Sequence, residues 1–165
     1  MKEFNSMKVV KALLIFGMIA LAMSGCKKDD VYDAEEQFIR DTTLIEQFLD
    51  QNNLVAQTHS SGLRYIITSE GEGPNAAFGN SVEVKFTGYL LDGTEFDTNE
   101  GQGDFFFVVD RGDVIRGWDI GFKLLNKGAT ATLFIPSTLG FGNTARTKIP
   151  ANSVVVFDVR VLSIR

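Results

Sequence analysis

Residue types that many enzymes depend on are scarce in this sequence. Its 165 residues include one cysteine and one histidine, so it can form no internal disulfide and has no histidine cluster for a transition metal. A Cys-x-x-Cys pair and a glycine-rich phosphate loop are both missing. His59 has neither a nucleophile elbow nor a partner carboxylate nearby, which argues against a hydrolase. We therefore expect no cofactor and no metal, and the sequence offers no obvious nucleophile.

Positive charge is scarce as well. The chain has 16 basic and 21 acidic residues, and without residues 1–25 there remain 13 basic and 20 acidic residues, a net charge of −7. Such an acidic chain repels phosphate backbones. The nearest basic patch, Lys27 and Lys28, is followed directly by Asp29 and Asp30. The sequence therefore predicts no binding to nucleic acid.

Phenylalanine, in contrast, is abundant. There are 14 phenylalanines against one tryptophan and three tyrosines, in a chain that is 44% hydrophobic and 22% charged. These proportions are typical of a globular domain with one core. Because phenylalanine has no hydrogen-bonding group, so much of it suits a dense core or an apolar cavity.

The N-terminal segment has the pattern of an export signal. Lys8 and Lys11 precede an apolar run at residues 12–23 that is too short to span a bilayer comfortably. The run ends in Met-Ser-Gly-Cys at residues 23–26, which resembles the lipobox of bacterial lipoproteins. The resemblance implies a signal peptide at 1–25 and lipid attachment at Cys26, with several acyl chains anchoring the protein to a membrane. A buried free cysteine is the alternative.

This resemblance also implies a location. It places the chain in the bacterial cell envelope, lipid-anchored to the outer membrane, and facing either the periplasm or the cell surface.

A tether and an amphipathic helix follow, over residues 26–62. Asp33 with Glu36 three residues later is a variant of the capping box, and Asn52 and Asn53 are expected to end the helix. Helical periodicity predicts an apolar face of Phe38, Leu44, Ile45, Phe48 and Leu49, with Glu35, Arg40, Asp41, Glu46 and Asp50 facing water. We expect the apolar face to pack on the chain's own domain, the alternative being a second copy, which would make a homodimer.

From Leu63 the pattern changes to that of strands. Strands are predicted at 63–68, 82–87, 105–109, 131–135 and 154–164, turns at 71–74 and at Asp92-Gly93, and one short helix at 116–125. A sheet with a single short helix must wrap around that helix to bury its apolar face. The predicted class is α+β.

Six short motifs then occur in a recognisable order. They are VEVKFTGY at 82–89, DGTEFD at 92–97, VIRGW at 114–118, IP…FG at 135–142, IPA at 149–151 and VFDV at 156–159. Their order and spacing resemble the FKBP-type peptidyl-prolyl cis-trans isomerases over residues 63–165. The resemblance implies an FKBP-like antiparallel β-sheet wrapped around a short central α-helix, here preceded by the N-terminal amphipathic helix.

The resemblance also implies a site. Trp118 would form the floor of an apolar pocket, and the Ile115 backbone N–H would hold a substrate carbonyl. The implied catalytic residues are Asp97, Phe96, Trp118, Ile115 and Phe141, and the implied substrate-binding residues are Phe86, Phe105, Val114 and Phe157. Proline-containing polypeptides and macrolides would be the ligands. A tryptophan that only fills the core, a noncatalytic proline-binding chaperone module and an envelope scaffold lipoprotein are the alternatives.

Three departures from the family pattern predict reduced activity. Phe86 and Phe141 occupy positions that are usually tyrosine in the family, where one hydroxyl helps to hold the pocket aspartate and the other commonly donates to substrate. Asp97 also lacks its expected arginine, because the loop at 98–104 contains no basic residue. Arg146, in the loop opposite, is the candidate to replace it.

Overall fold

The computed structural model of this chain describes residues 32–165. The predicted signal peptide at 1–25, the predicted lipid site Cys26 and the start of the predicted tether therefore lie outside the described residues. Within residues 32–165, no helix is both long enough and apolar enough to cross a membrane.

Helix α1 (Ala34–Gln51) has the bounds predicted from its capping residues. The Asp33 carboxylate accepts the backbone N–H groups of Glu35 at 2.9 Å and Glu36 at 3.2 Å. These are two of the donors that the first turn of a helix leaves without partners. At the other end, the Asn52 side chain donates to the Phe48 carbonyl at 2.8 Å.

One face of α1 packs on the rest of the described chain. Ile45 and Leu49 are buried in a small apolar cluster with Phe134, Val154 and Val156. The expected packing on the chain's own domain is therefore present.

Two residues of α1 lie on the opposite side from the one predicted. Asp41 is fully buried, although it was expected to face water, and Leu44 is 47% exposed, although it was expected on the apolar face. The buried stripe consists of Asp41, Ile45 and Leu49, which are spaced four residues apart. Asp41 can occupy this stripe because its carboxylate is hydrogen-bonded to Ser137.

Nine strands follow α1: β1 (Gln57–Thr58), β2 (Arg64–Ser69), β3 (Glu72–Asn75), β4 (Ser81–Leu90), β5 (Glu95–Thr98), β6 (Phe105–Val108), β7 (Asn126–Lys127), β8 (Thr130–Ile135) and β9 (Val155–Ile164). Seven of them form one antiparallel sheet in the order β1-β2-β8-β9-β4-β5, with β6 also paired to β4. Strands β3 and β7 form a separate pair.

The long central strands β4 and β9 supply much of the core. On β4 the buried residues Val82, Val84 and Phe86 alternate with half-buried ones, as the period-two pattern predicted. The strands pair in register from Val82 opposite Ile164 to Leu90 opposite Val155, with one irregularity after Glu83.

Helix α2 (Arg116–Phe122) lies against this sheet. Gly117 and Gly121 are one helical turn apart, and a Cβ atom on either would overlap Ile135 or Leu133 of β8. The close approach of helix and sheet therefore depends on these two glycines. The predicted α+β architecture, an antiparallel sheet around a short central helix with a further helix at the N-terminal side, is confirmed.

Some local predictions differ from the structure. Residues 71–74 were predicted as a turn, but Glu72–Asn75 form β3 and pair with β7, a partner some fifty residues away in the sequence. Helix α2 ends at Phe122 instead of Leu125. After Phe122 the hydrogen bond spans three residues and not four, since the Leu125 N–H donates to the Phe122 carbonyl at 3.1 Å. A 3₁₀ turn at Ser137–Leu139 was not predicted.

The predicted Asp92-Gly93 turn is present. Gly93 has a φ of 85°, which a residue with a side chain rarely adopts. The Thr94 backbone N–H donates to the Asp92 carboxylate at 2.9 Å. Hydrogen bonds from the Thr94 backbone and side chain lower the pKa of Asp92.

Candidate functional site

A cavity of about 410 Å³ opens between α2, strands β4, β5, β6 and β9, and the segment that follows the 3₁₀ turn. All nine residues expected to form the site line it: Asp97, Phe96, Trp118, Ile115, Phe141, Phe86, Phe105, Val114 and Phe157. Three further residues, Asp113, Gly140 and Arg146, complete the lining. Residues from positions 86 to 157 of the chain thus meet at one cavity.

The floor of the cavity is formed by Trp118, in the first turn of α2, together with Phe86 and Phe157. The two phenylalanine rings meet the indole nearly edge to face, with centroids 5.2 Å away in both cases. Phe107 and Phe122, which do not line the cavity, contact the same indole at 5.5 and 5.1 Å. Trp118 is only 4% exposed, so it belongs both to the core and to the cavity surface.

The floor offers almost no polar group. The Trp118 indole N–H is buried and has no hydrogen-bond partner within residues 32–165. Phe86 is buried among rings, with Trp118 on one side and Phe105 at 5.8 Å on another. A ligand group that enters this space must therefore be apolar, since a polar one would lose its hydrogen bonds to water.

One wall depends on a glycine that was not among the expected site residues. A Cβ atom on Gly88 of β4 would lie 2.6 Å from the Phe96 ring and 2.9 Å from the Phe157 ring. The missing side chain allows these two rings to pack edge to face at 5.4 Å. Phe96 then meets Phe141 across the cavity mouth at 6.3 Å.

The cavity lining includes the residue that precedes α2. Ile115 is the N-cap of α2, in extended conformation, and its carbonyl accepts the Trp118 N–H at 2.9 Å. The Ile115 backbone N–H forms no backbone hydrogen bond in the described part of the chain. The N-terminal end of a helix leaves such donors without intrahelical partners, and this one belongs to a residue that lines the cavity.

The loop at 98–104 is held by Asn99, which sequence reasoning missed. The Asn99 side chain is buried, accepts the Phe86 N–H at 2.7 Å and donates to the carbonyls of Val84 and Gly103 at 3.0 and 3.2 Å. A buried amide that satisfies three backbone groups fixes the loop against β4. No sequence signal distinguishes this asparagine from an ordinary loop residue.

The rim of the cavity consists of Asp97, Phe141 and Arg146. Asp97 is exposed, and no ion pair among residues 32–165 includes it. The Arg146 guanidinium lies over the Phe141 ring, 5.5 Å from its centroid, in a cation–π contact. Arg146 therefore covers an aromatic ring and does not take the place of the arginine that the resemblance associates with Asp97.

The chemistry of the cavity is that of binding and desolvation. It combines an aromatic floor and the backbone N–H of Ile115 with two exposed carboxylates, those of Asp97 and Asp113, and the exposed guanidinium of Arg146. Within residues 32–165 there is no group of three histidine, cysteine or acidic side chains that could hold a metal ion. Such a site suits an apolar ring flanked by a carbonyl group.

Comparison with known families and proteins gives a consistent result. The family model described as FKBP-type peptidyl-prolyl cis-trans isomerase matches residues 73–162, which include every residue that lines the cavity.

Individual proteins match as well. The chain is 37% identical over 132 residues to FkpA, an FKBP-type peptidyl-prolyl cis-trans isomerase of Buchnera aphidicola, covering 79% of this chain and 51% of that relative. It is 37% identical over 112 residues to FK506-binding protein 3 of Yarrowia lipolytica, covering 68% of this chain and 28% of the relative. The crystal structure of FkpA from Escherichia coli is similar with a TM-score of 0.68 and 29% identity, covering 99% of this chain and 75% of that one. The chain thus spans about half or less of the length of these two curated relatives.

Proposed function

The chain belongs to the FKBP-type peptidyl-prolyl cis-trans isomerase family, and we propose on this basis that it isomerises the peptide bond before proline in proteins of the bacterial cell envelope, assisting their folding. The observation that carries the proposal is the cavity, in which all nine residues expected of such a site meet around Trp118.

The reaction explains why a site without a nucleophile suffices. Rotation about a peptide bond has a barrier of about 18–20 kcal/mol, because the planar amide is stabilised by resonance, and bonds before proline populate both isomers. At the twisted transition state this resonance is lost. A cavity that removes the amide from water and fits the twisted form better than either planar isomer lowers the barrier by differential binding.

In this mechanism the floor and the walls have distinct tasks. The proline ring packs on Trp118, between the rings of Phe86, Phe105 and Phe157. The Ile115 N–H, which forms no backbone hydrogen bond within the described residues, donates to a substrate carbonyl beside the rotating bond. Val114 and Phe96 complete the apolar enclosure, and Phe141 and Asp97 border the amide at the rim.

A second function, binding of proline segments without turnover, is favoured by one observation. Phe86 and Phe141 both lack the hydroxyl that the family usually has at these positions. One neutral hydrogen bond contributes about 0.5–1.5 kcal/mol net, and about 1.4 kcal/mol corresponds to tenfold in rate. The missing donor at Phe141 therefore predicts a slower enzyme, and the apolar cavity would bind proline peptides in either case.

Exchange NMR on a proline tetrapeptide distinguishes these functions, because it follows isomerisation without a coupling protease. We expect line broadening that depends on the amount of protein and disappears when a macrolide such as rapamycin occupies the cavity. Binding of the peptide without exchange would indicate the noncatalytic chaperone module. Neither binding nor exchange, together with a stable complex in envelope extracts, would indicate a scaffold lipoprotein.

The proposed location rests on the sequence before the described residues. Lipid attached to Cys26 would anchor the protein to the outer membrane, and the residues between Cys26 and α1 would form a tether. We expect palmitate labelling of the wild-type chain and none of a Cys26→Ser variant. Labelling that is unchanged in the variant would refute the anchor while leaving the isomerase proposal untouched.

A homodimer through α1 would use the outer face of this helix. Ile45 and Leu49 already pack on the chain's own domain, whereas Ile39 is 58% and Leu44 is 47% exposed. Sedimentation of the wild-type chain beside an Ile39→Glu, Leu44→Glu variant tests this association. If α1 associates with a second copy through this face, a dimer will form only in the wild type. A monomeric wild type would refute the association and leave the packing of α1 on its own domain unaffected.

A further inference from the structure

Helix α1 carries a buried carboxylate that the proposed mechanism does not use. Asp41 is 0% exposed, and none of the ion pairs among residues 32–165 includes it. Its Oδ1 accepts a hydrogen bond from the Gln37 side chain at 2.7 Å. Its Oδ2 accepts both the backbone N–H of Ser137, at 2.7 Å, and the Ser137 hydroxyl, at 2.6 Å. A buried carboxylate without a cation depends on such bonds.

Ser137 in turn fixes the backbone on both sides of Phe141. It begins the 3₁₀ turn that precedes the cavity rim. The Ser137 carbonyl accepts the N–H of Gly140 at 2.9 Å and the N–H of Gly142 at 2.8 Å. Phe141, whose ring borders the cavity, lies between these two anchored glycines. The residue that positions Phe141 is therefore itself held by Asp41, from a helix 96 residues away in the sequence.

The apolar contacts of α1 do not make the same connection. Ile45 and Leu49 pack with Phe134, Val154 and Val156, and none of these five residues lines the cavity. Within residues 32–165, Asp41 thus joins α1 to the residue that organises the rim.

We propose that Asp41 is a positioning residue for the isomerase site, acting through Ser137 on Phe141, so that α1 is a working part of the catalytic domain and not only a spacer. This inference rests on the proposed isomerase function for its kinetic consequence. Without the Asp41 carboxylate, two buried donors of Ser137 lose their acceptor, and the turn must shift to reach water. The Phe141 ring would move with the turn, which weakens the closure of the cavity over the amide.

Three variants of the full chain test the proposal. Asp41→Ala removes the acceptor. Asp41→Asn keeps an oxygen that can accept both Ser137 donors, so it should rescue the site. Val161→Ala is the control for a general loss of stability, because Val161 is 1% exposed on β9 and does not line the cavity.

The readouts are the kinetics and the backbone amide resonance of Phe141. We expect Asp41→Ala to lower kcat/KM at least about fivefold, with kcat lowered more than KM is raised, because the rim borders the rotating amide whereas the proline ring binds on the floor. Asp41→Asn and Val161→Ala should each remain within about twofold of the wild type. The Phe141 amide resonance should move in Asp41→Ala and stay in place in Val161→Ala.

Each other result overturns the proposal. Unchanged kinetics with an unchanged Phe141 resonance in Asp41→Ala would show that no coupling exists. If Val161→Ala lowered kcat/KM as much as Asp41→Ala does, the loss would reflect stability. If Asp41→Asn lowered it as much, the charge of Asp41 would matter and not its role as a hydrogen-bond acceptor. If Asp41→Ala does not fold, Ser137→Ala removes one of the two bonds, and an unmoved Phe141 resonance there refutes the coupling. A wild-type chain without turnover would refute the isomerase function, and the Phe141 resonance would then decide the coupling alone.

Discussion

Trp118 on the cavity floor is 4% exposed and touches five phenylalanine rings, whereas Asp97 on the rim is exposed and has no ion-pair partner within residues 32–165. The floor belongs to the same packed core that holds α2 against the sheet. The rim is formed by one short strand and by a loop whose Arg146 lies over Phe141.

The difference separates two properties of the site. Residues of the floor cannot change without disturbing the core, because protein interiors are close-packed. Residues of the rim can change at little cost to folding. The three departures from the family pattern affect Phe86, Phe141 and the surroundings of Asp97, and two of the three concern the rim. We expect the floor to determine whether proline binds, and the rim to adjust how fast the bond rotates.

The largest expected effect is on stability. Trp118→Ala should lower the free energy of unfolding by about 3–5 kcal/mol, as is typical for a buried aromatic residue. Phe141→Ala should lower it by about 1–2 kcal/mol, because part of that ring already contacts water. Urea unfolding of both variants measures the difference. Equal losses of free energy in the two variants would mean that floor and rim belong to one packed unit, and would refute the difference in packing between them.

A glycine on β4 tests how tightly the wall is packed. Gly88→Ala should lower the free energy of unfolding by about 1–3 kcal/mol, because the new methyl group overlaps the rings of Phe96 and Phe157. Gly103→Ala is the matched control, since a Cβ there meets no atom within 4 Å. It should stay within about 0.5 kcal/mol of the wild type. An unchanged free energy of unfolding in Gly88→Ala would show that the rings of Phe96 and Phe157 can move to accommodate a methyl group.

Two neighbouring phenylalanines on β6 distinguish the effect of a cavity residue from that of a surface residue. Phe105 lines the cavity, whereas Phe106 is 55% exposed and does not. Phe105→Ala should lower kcat/KM about tenfold, which corresponds to losing about 1.4 kcal/mol of transition-state contact. Phe106→Ala should leave kcat/KM within about twofold. Exchange NMR on one proline tetrapeptide checks both variants, and equal effects would argue against the assigned cavity.

The smallest expected effect is a gain. Phe141→Tyr should raise kcat/KM about two- to tenfold, because the new hydroxyl can donate to the substrate at the rim and a neutral hydrogen bond contributes about 0.5–1.5 kcal/mol. Thermal unfolding of the same variant serves as the control for folding. An equal or lower kcat/KM in a well-folded Phe141→Tyr variant would show that the rim needs no hydroxyl here.

The α+β class could be predicted from the sequence because it depends on local patterns: the alternation at Val82, Val84 and Phe86 marks a strand with one buried face wherever it occurs. The residues of the cavity could be predicted only through the resemblance to the FKBP family, which implied that Trp118 and Phe157 lie together.

Three of the features that sequence reasoning missed depend on partners that are distant in the sequence. Asp41 was expected in water because acidic side chains are rarely buried unless paired, and its partner Ser137 lies 96 residues away. Residues 72–75 resemble a turn, and only pairing with β7 makes them a strand. In the sequence Asn99 resembles any polar loop residue. Its role becomes visible only in the structure, where its side chain forms hydrogen bonds with the backbone of β4.

The most direct test of the account is a fluorescence titration of the wild-type chain with a proline tetrapeptide. Trp118 is the single tryptophan, so the emission reports on the cavity floor alone. We expect a spectral change that half-saturates at the peptide concentration that half-saturates isomerisation, and no change with the same peptide carrying alanine in place of proline. Isomerisation without any change in Trp118 emission would contradict it, because the bond would then rotate somewhere other than over this floor.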